Sequence, residues 1–174
     1  MPGDQFQDQI DWIKSLSGDS KVDAGTVVAW YAVTMTLKEL IDHFNTITFN
    51  SAQGDMKRYR EVQLKKVIIG MLYEMDGCLK HWAGLLHKKG KLDNGIVQKR
   101  KDFETECKKV GFSELKDIRN GVAFHFTDYL TEPDAIVDTY TKIDEISLSS
   151  INAILRTAID CGEAMKQKVS ETIN

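Results

Sequence analysis

An all-α, up-and-down helical bundle is the fold this sequence predicts, and three observations predict it. Apolar residues recur at three- and four-residue steps along almost the whole chain, the spacing that gathers side chains on one face of an α-helix. Alternating strand patterns are missing, and the nearest candidate, residues 47–50, is too short to matter. With 174 residues, 42% of them hydrophobic, the chain is long and apolar enough for a real core in a single domain spanning residues 1–174.

Val27, Trp30, Tyr31, Thr34, Leu37, Leu40, Ile41, Phe44 and Ile47 form the stripe of a first long helix. Leu64, Val67, Ile68, Met71, Leu72, Met75, Leu79, Trp82, Leu85 and Leu86 form the stripe of a second. It ends before His87-Lys88-Lys89-Gly90, where basic residues followed by glycine give a helix stop. These are two long antiparallel helices, joined by a polar, glycine-bearing connection over residues 45–57. A shorter helix over residues 94–107 rests on Val97, Phe103 and Cys107. Gly111-Phe112-Ser113 breaks the chain, and Ser113 is placed to cap a helix near residues 113–130. That helix carries Leu115, Ile118, Val122, His125, Phe126 and Tyr129. Thr131-Glu132-Pro133-Asp134 then predicts a short helix with proline in its first turn. A long C-terminal helix starts near residues 147–150 and carries Ile151, Ile154, Leu155, Ala158, Cys161, Met165 and Val169.

The composition excludes several classes. No run approaches the roughly 18 uninterrupted apolar residues of a membrane span, so no membrane association is expected. Residues 1–12 carry acids rather than a basic leader, so no signal peptide is expected. Cys78, Cys107 and Cys161 are odd in number and widely spaced, which suggests neither a disulfide framework nor a zinc knuckle. A reducing, cytoplasmic setting follows as the expectation.

The net charge of −3 conceals an uneven distribution. Residues 1–56 hold three basic against eight acidic side chains, residues 57–109 hold fourteen against seven, and residues 128–174 hold four against nine. Lys57, Arg58, Arg60, Lys65, Lys66, Lys88, Lys89, Lys91, Lys99, Arg100 and Lys101 therefore suit either of two roles. They can form a phosphate-facing surface, or they can meet the acidic ends within the fold or across a dimer.

Chemistry-bearing motifs are few. Phosphate-binding loops, the Gly-x-Ser-x-Gly elbow and His-Glu-x-x-His are all missing. Glu39 and His43 lie one helical turn apart, but no second such pair exists, so neither a metal nor any other cofactor is expected; the weaker metal alternative joins His43 and His81 with nearby acids. Cys78 and His81 can share a helix face, although Cys78 lies beside an apolar stripe, where a buried inert thiol is the stronger reading.

Residues 118–126, Ile-Arg-Asn-Gly-Val-Ala-Phe-His-Phe, place Arg119, Asn120 and His125 within two turns of an otherwise apolar helix. A permanently charged guanidinium can stabilise a phosphoryl oxygen, and an imidazole can move protons near neutral pH. Together they suffice for metal-free RNA cleavage, because the substrate's own 2′-hydroxyl can be the nucleophile. On a straight helix Arg119 and His125 point about 120° apart and sit about 9 Å apart along the axis. Two copies facing each other across a two-fold axis would concentrate both side chains in one cleft. The structural alternative makes His125 a hydrogen-bonded core histidine and pairs Arg119 with Glu114, Asp117 or another acid.

The Arg119-Asn120-x4-His125 string resembles the signature of the HEPN superfamily, the all-α domain of prokaryotic toxins and abortive-infection proteins. That signature is an arginine, often followed by a polar residue, with a histidine after four to six intervening residues; here five intervene. The specific likeness covers about nine residues and is architectural elsewhere. It implies a homodimer with a composite cleft and metal-independent endoribonuclease chemistry that leaves a 2′,3′-cyclic phosphate. Arg119 would stabilise the phosphorane, His125 would act as general acid or base, and Asn120 would orient the pair or hold the scissile phosphate. RNA would be the substrate, and an antitoxin or other protein a possible partner. Gly121 departs from the bulkier residue common at that place in the family. Some members of the family do not cleave, so the alternative is an inactive helical module that binds a partner protein or a nucleotide.

Overall fold

The structure, a computed structural model, describes residues 2–43, 54–112 and 133–173. Six helices account for nearly all of these: α1 (Pro2–Ser15), α2 (Gly18–His43), α3 (Asp55–Lys88), α4 (Asn94–Lys109), α5 (Pro133–Glu145) and α6 (Leu148–Ile173). No strand occurs among the described residues, and none of the described helices is long and apolar enough to cross a membrane. The predicted helix near residues 113–130 and most of the connection over residues 45–57 lie outside the described residues.

The backbone of the bundle is α3. Ile68, Ile69, Leu72, Met75, Leu79, Trp82 and Leu86 are all buried, recurring at three- and four-residue steps and so lining one side of it. Asp23 and Thr26 near the start of α2 meet His81 and Trp82 near the end of α3, so these two helices are antiparallel, as predicted. The chain turns after α3 at Gly90, whose φ of 64° is the left-handed conformation that glycine adopts without a Cβ penalty. The Lys91 amide then donates to the Leu86 carbonyl at 2.8 Å, closing the helix end.

The next helix, α4, starts at a side-chain cap: the Asp93 carboxylate accepts from the Ile96 amide at 2.9 Å. Lys168 of α6 also bonds Asp93, which places the end of α6 beside the start of α4 and makes those helices antiparallel. Ser147 performs the same capping task for α6, its hydroxyl accepting from the Ser150 amide at 3.0 Å.

Every apolar residue expected on the C-terminal stripe is buried, from Ile151 to Val169. This face of α6 packs on α2, α3 and α4 together, so α6 is the element that closes the core. Where α2 meets α3, the Trp30 and Trp82 rings lie 5.3 Å apart at an interplanar angle of 50°, a tilted aromatic pair within the buried core. Two expectations shift. Tyr31 and Val67, read as stripe residues, are 40% and 42% exposed, because each lies at the margin of its helix's buried face. In addition residues 2–15, read only for their lack of a basic leader, form the helix α1 packed on α2.

Candidate functional site

Arg119, Asn120 and His125 lie outside the described residues, so what the structure supplies is the frame on which residues 113–132 are hung. The chain leaves α4 at Gly111, in the left-handed region at φ 62°, and Phe112 follows, buried and stacked on Tyr73 of α3 with ring centroids 4.3 Å apart. The Tyr73 hydroxyl donates to the Phe112 carbonyl. One end of the segment is therefore pinned midway along α3.

Beyond the segment, α5 packs on the first half of α3. Gln63 donates to the Tyr140 hydroxyl at 3.2 Å, and the Lys66 ammonium sits 5.8 Å from the centre of the Tyr140 ring. Arg58 forks onto Asp144, with Nε donating at 2.9 Å. Gln63 and Tyr73, which meet α5 and Phe112 respectively, lie about 15 Å apart along α3. Beside the exit from α4, a recess of about 480 Å³ is lined by Lys109, Gly111, Lys142, Glu145, Ser147 and Ser150, among others.

The basic residues of the centre divide between ion pairs within the fold and exposed positions. Lys65 is buried and bonds the Glu61 carboxylate at 2.9 Å and the Asp144 carbonyl at 3.1 Å. Arg58 is spent on Asp144, and Arg100 on Asp76 and Glu104 at 2.8 and 2.9 Å. Arg58 and Lys65 therefore meet the acidic C-terminal region within the fold, whereas Arg100 and Lys65 also find acids of their own segment. The remaining basic residues do not form one surface. Lys66 and Lys88 lie about 33 Å apart along the axis of α3.

Among the described histidines, His81 has a defined partner: Nε2 lies 2.6 Å from Asp23 Oδ1. Asp23 is a residue the sequence reading missed, since no local pattern links positions 58 apart. The pair borders a groove of about 700 Å³ between the start of α2 and the end of α3, where Lys80, Lys88 and Lys89 also contribute. Cys78 does not join His81 as a nucleophile. It is buried, its Sγ lies 3.8 Å from the Thr26 carbonyl, and burial pushes its thiol above the ordinary value. Burial raises Cys107 to about 12 and Cys161 to about 11 for the same reason. No group of three or more His, Cys, Asp or Glu side chains able to hold a metal occurs among the described residues.

No family model matches this chain, and neither does any curated protein or solved structure.

Proposed function

We propose that this chain is a metal-independent endoribonuclease of the HEPN type, acting in the cytoplasm as a toxin or antiviral effector. The observation that carries the proposal is the Arg119-Asn120-x4-His125 string in an all-α bundle of one-domain length. In this reading His125 takes the proton from the ribose 2′-hydroxyl or returns one to the leaving 5′-oxygen. Arg119 balances the charge that develops on the phosphorane oxygens, and Asn120 orients the phosphate. The 2′-oxygen bonds to phosphorus as the 5′-oxygen leaves, so the products are a 2′,3′-cyclic phosphate and a 5′-hydroxyl. Two copies of the chain bring two such sets into one cleft, and an antitoxin or other protein would restrain the activity.

The test is RNA cleavage by the wild type, Arg119→Ala and His125→Ala in EDTA, with circular dichroism to confirm that each variant is folded. The wild type is expected to cut and both variants to lose activity. Equal cleavage by all three, or a requirement for added metal, would overturn the proposal.

A second reading draws on the ion pairs. Because Arg58, Lys65 and Arg100 are neutralised by acids of the chain itself, less positive surface remains for an RNA backbone. A catalytically inactive HEPN-like module that binds a partner protein or a nucleotide fits that economy of charge. A folded, dimeric wild type that cuts no RNA favours it.

A further inference from the structure

The groove that holds Asp23 and His81 lies away from the frame of the motif segment. His81 is about 12 Å beyond Tyr73 along α3, and Lys88 about 22 Å beyond it. One wall comes from the first turns of α2 with Asp19 and Asp23; the other comes from the last turns of α3 with His81, Lys88 and Lys89. Gly84 lines the groove between them, and a Cβ added there would meet no described atom within 4 Å, so the absence of a side chain leaves the space open.

The charges of the two walls differ in kind. Lys88 and Lys89 are exposed and have no ion-pair partner among the described residues, whereas Lys80 is tied to Asp76 at 2.6 Å. His81 is 38% exposed, and its contact with the largely buried Asp23, 13% exposed, holds the ring against the groove. Two free ammonium groups and an anchored imidazole suit a compact dianion. The carboxylates of Asp19 and Asp23 on the facing wall repel an extended polyanion, but they accept hydrogen bonds from hydroxyl groups. A volume of about 700 Å³ is in the range of small-molecule sites.

We propose that this groove binds a small phosphomonoester whose organic part carries hydroxyl groups, with the phosphate on Lys88, Lys89 and His81 and the hydroxyls on Asp19 and Asp23. The site is independent of the RNA-cleaving reading, because it uses none of the motif residues.

Calorimetric titration of the full chain with ribose 5-phosphate, ribose and inorganic phosphate tests it. Ribose 5-phosphate is expected to bind at least about tenfold more tightly than either fragment, since both walls then contribute. The double substitution Lys88→Ala/Lys89→Ala is expected to weaken binding by about tenfold or more. Gly84→Met is expected to abolish it while leaving the circular dichroism spectrum unchanged, because that side chain fills the groove rather than the core. The variant Arg119→Ala/His125→Ala should bind as the wild type does. No binding of ribose 5-phosphate, equal affinity for inorganic phosphate, or full binding by folded Gly84→Met would each overturn the proposal.

Discussion

Trp30 of α2 lies directly over Gly162 of α6: a Cβ placed at 162 would come within 1.9 Å of Trp30 Cζ2. Trp30 is 1% exposed, and its indole Nε1 donates to Glu163 at 3.2 Å, so the ring is fixed by packing on one side and by a hydrogen bond at its edge. Contact between these helices at this level depends on a residue with no side chain.

Gly162→Ala should therefore destabilise the fold even though alanine is the better helix former. The gain in helix propensity is about 1 kcal/mol, and displacing a packed tryptophan costs about 1–3 kcal/mol or more. Gly77→Ala is the control. A Cβ at 77 meets nothing among the described residues within 4 Å, so this variant should gain about 0.5–1 kcal/mol. Urea unfolding midpoints of the two variants should move in opposite directions.

Lys65 offers a second test. Its ammonium is 3% exposed and donates to the Asp144 carbonyl near the end of α5, which joins that helix to α3. Lys65→Met keeps most of the apolar stem but leaves the carbonyl without its donor, an expected loss of about 1–3 kcal/mol. Lys65→Ala also removes the stem and should cost more. A reversed order in denaturant titrations would show that the stem's packing is unimportant.

The cysteines should be chemically silent in the folded protein. With Cys107 raised to about 12, only about one molecule in 10⁴ carries the thiolate at pH 8, and the thiolate is the reactive form. Iodoacetamide at pH 8 should therefore leave all three thiols largely unmodified under native conditions and alkylate them rapidly in urea. Mass spectrometry after timed quenching reads both. Rapid native labelling of Cys107 would contradict its placement beside Asp76, Arg100 and Phe112.

Acid sensitivity follows from two carboxylates. The hydrogen bond from Arg58 holds Asp144 below the usual carboxylate range, and the hydrogen bonds from Lys168 and the Ile96 amide do the same for Asp93. A depressed folded-state pKa means that the stabilisation is fully present above the unfolded value near 4 and is lost as pH falls through the folded value. Unfolding midpoints should be insensitive to these two groups from pH 7 to about 5 and decline below about 4. Asp93 is exposed and Asp144 partly so, and 1 M salt should therefore flatten part of that decline. Asp144→Asn should remove its share of the acid limb, which a series of urea titrations at stepped pH would show.

Much of the fold was legible because helical packing repeats locally. The buried residues of α6 are the ones its three- and four-residue spacing marked, and the start of α5 at Pro133 is where proline fits a first turn. Tyr31 and Val67 were misjudged because periodicity locates the middle of an apolar face more sharply than its margin. The first helix escaped notice although Phe6, Ile10 and Ile13 recur at helical spacing, because the acids of residues 1–12 were weighed only against a basic leader.

What the sequence determined by itself is the class of fold and the buried faces of its longer helices. These are properties of neighbours within a few turns, where spacing alone decides which side chains share a face. The tertiary structure decided where the charges go. It joined His81 to Asp23 and Arg58 to Asp144 across separations of 58 and 86 residues, and it set Lys66 far from Lys88 along α3. Such pairings depend on how helices pack against one another, which no local pattern encodes, because a charged side chain finds its partner only after the apolar faces have chosen theirs.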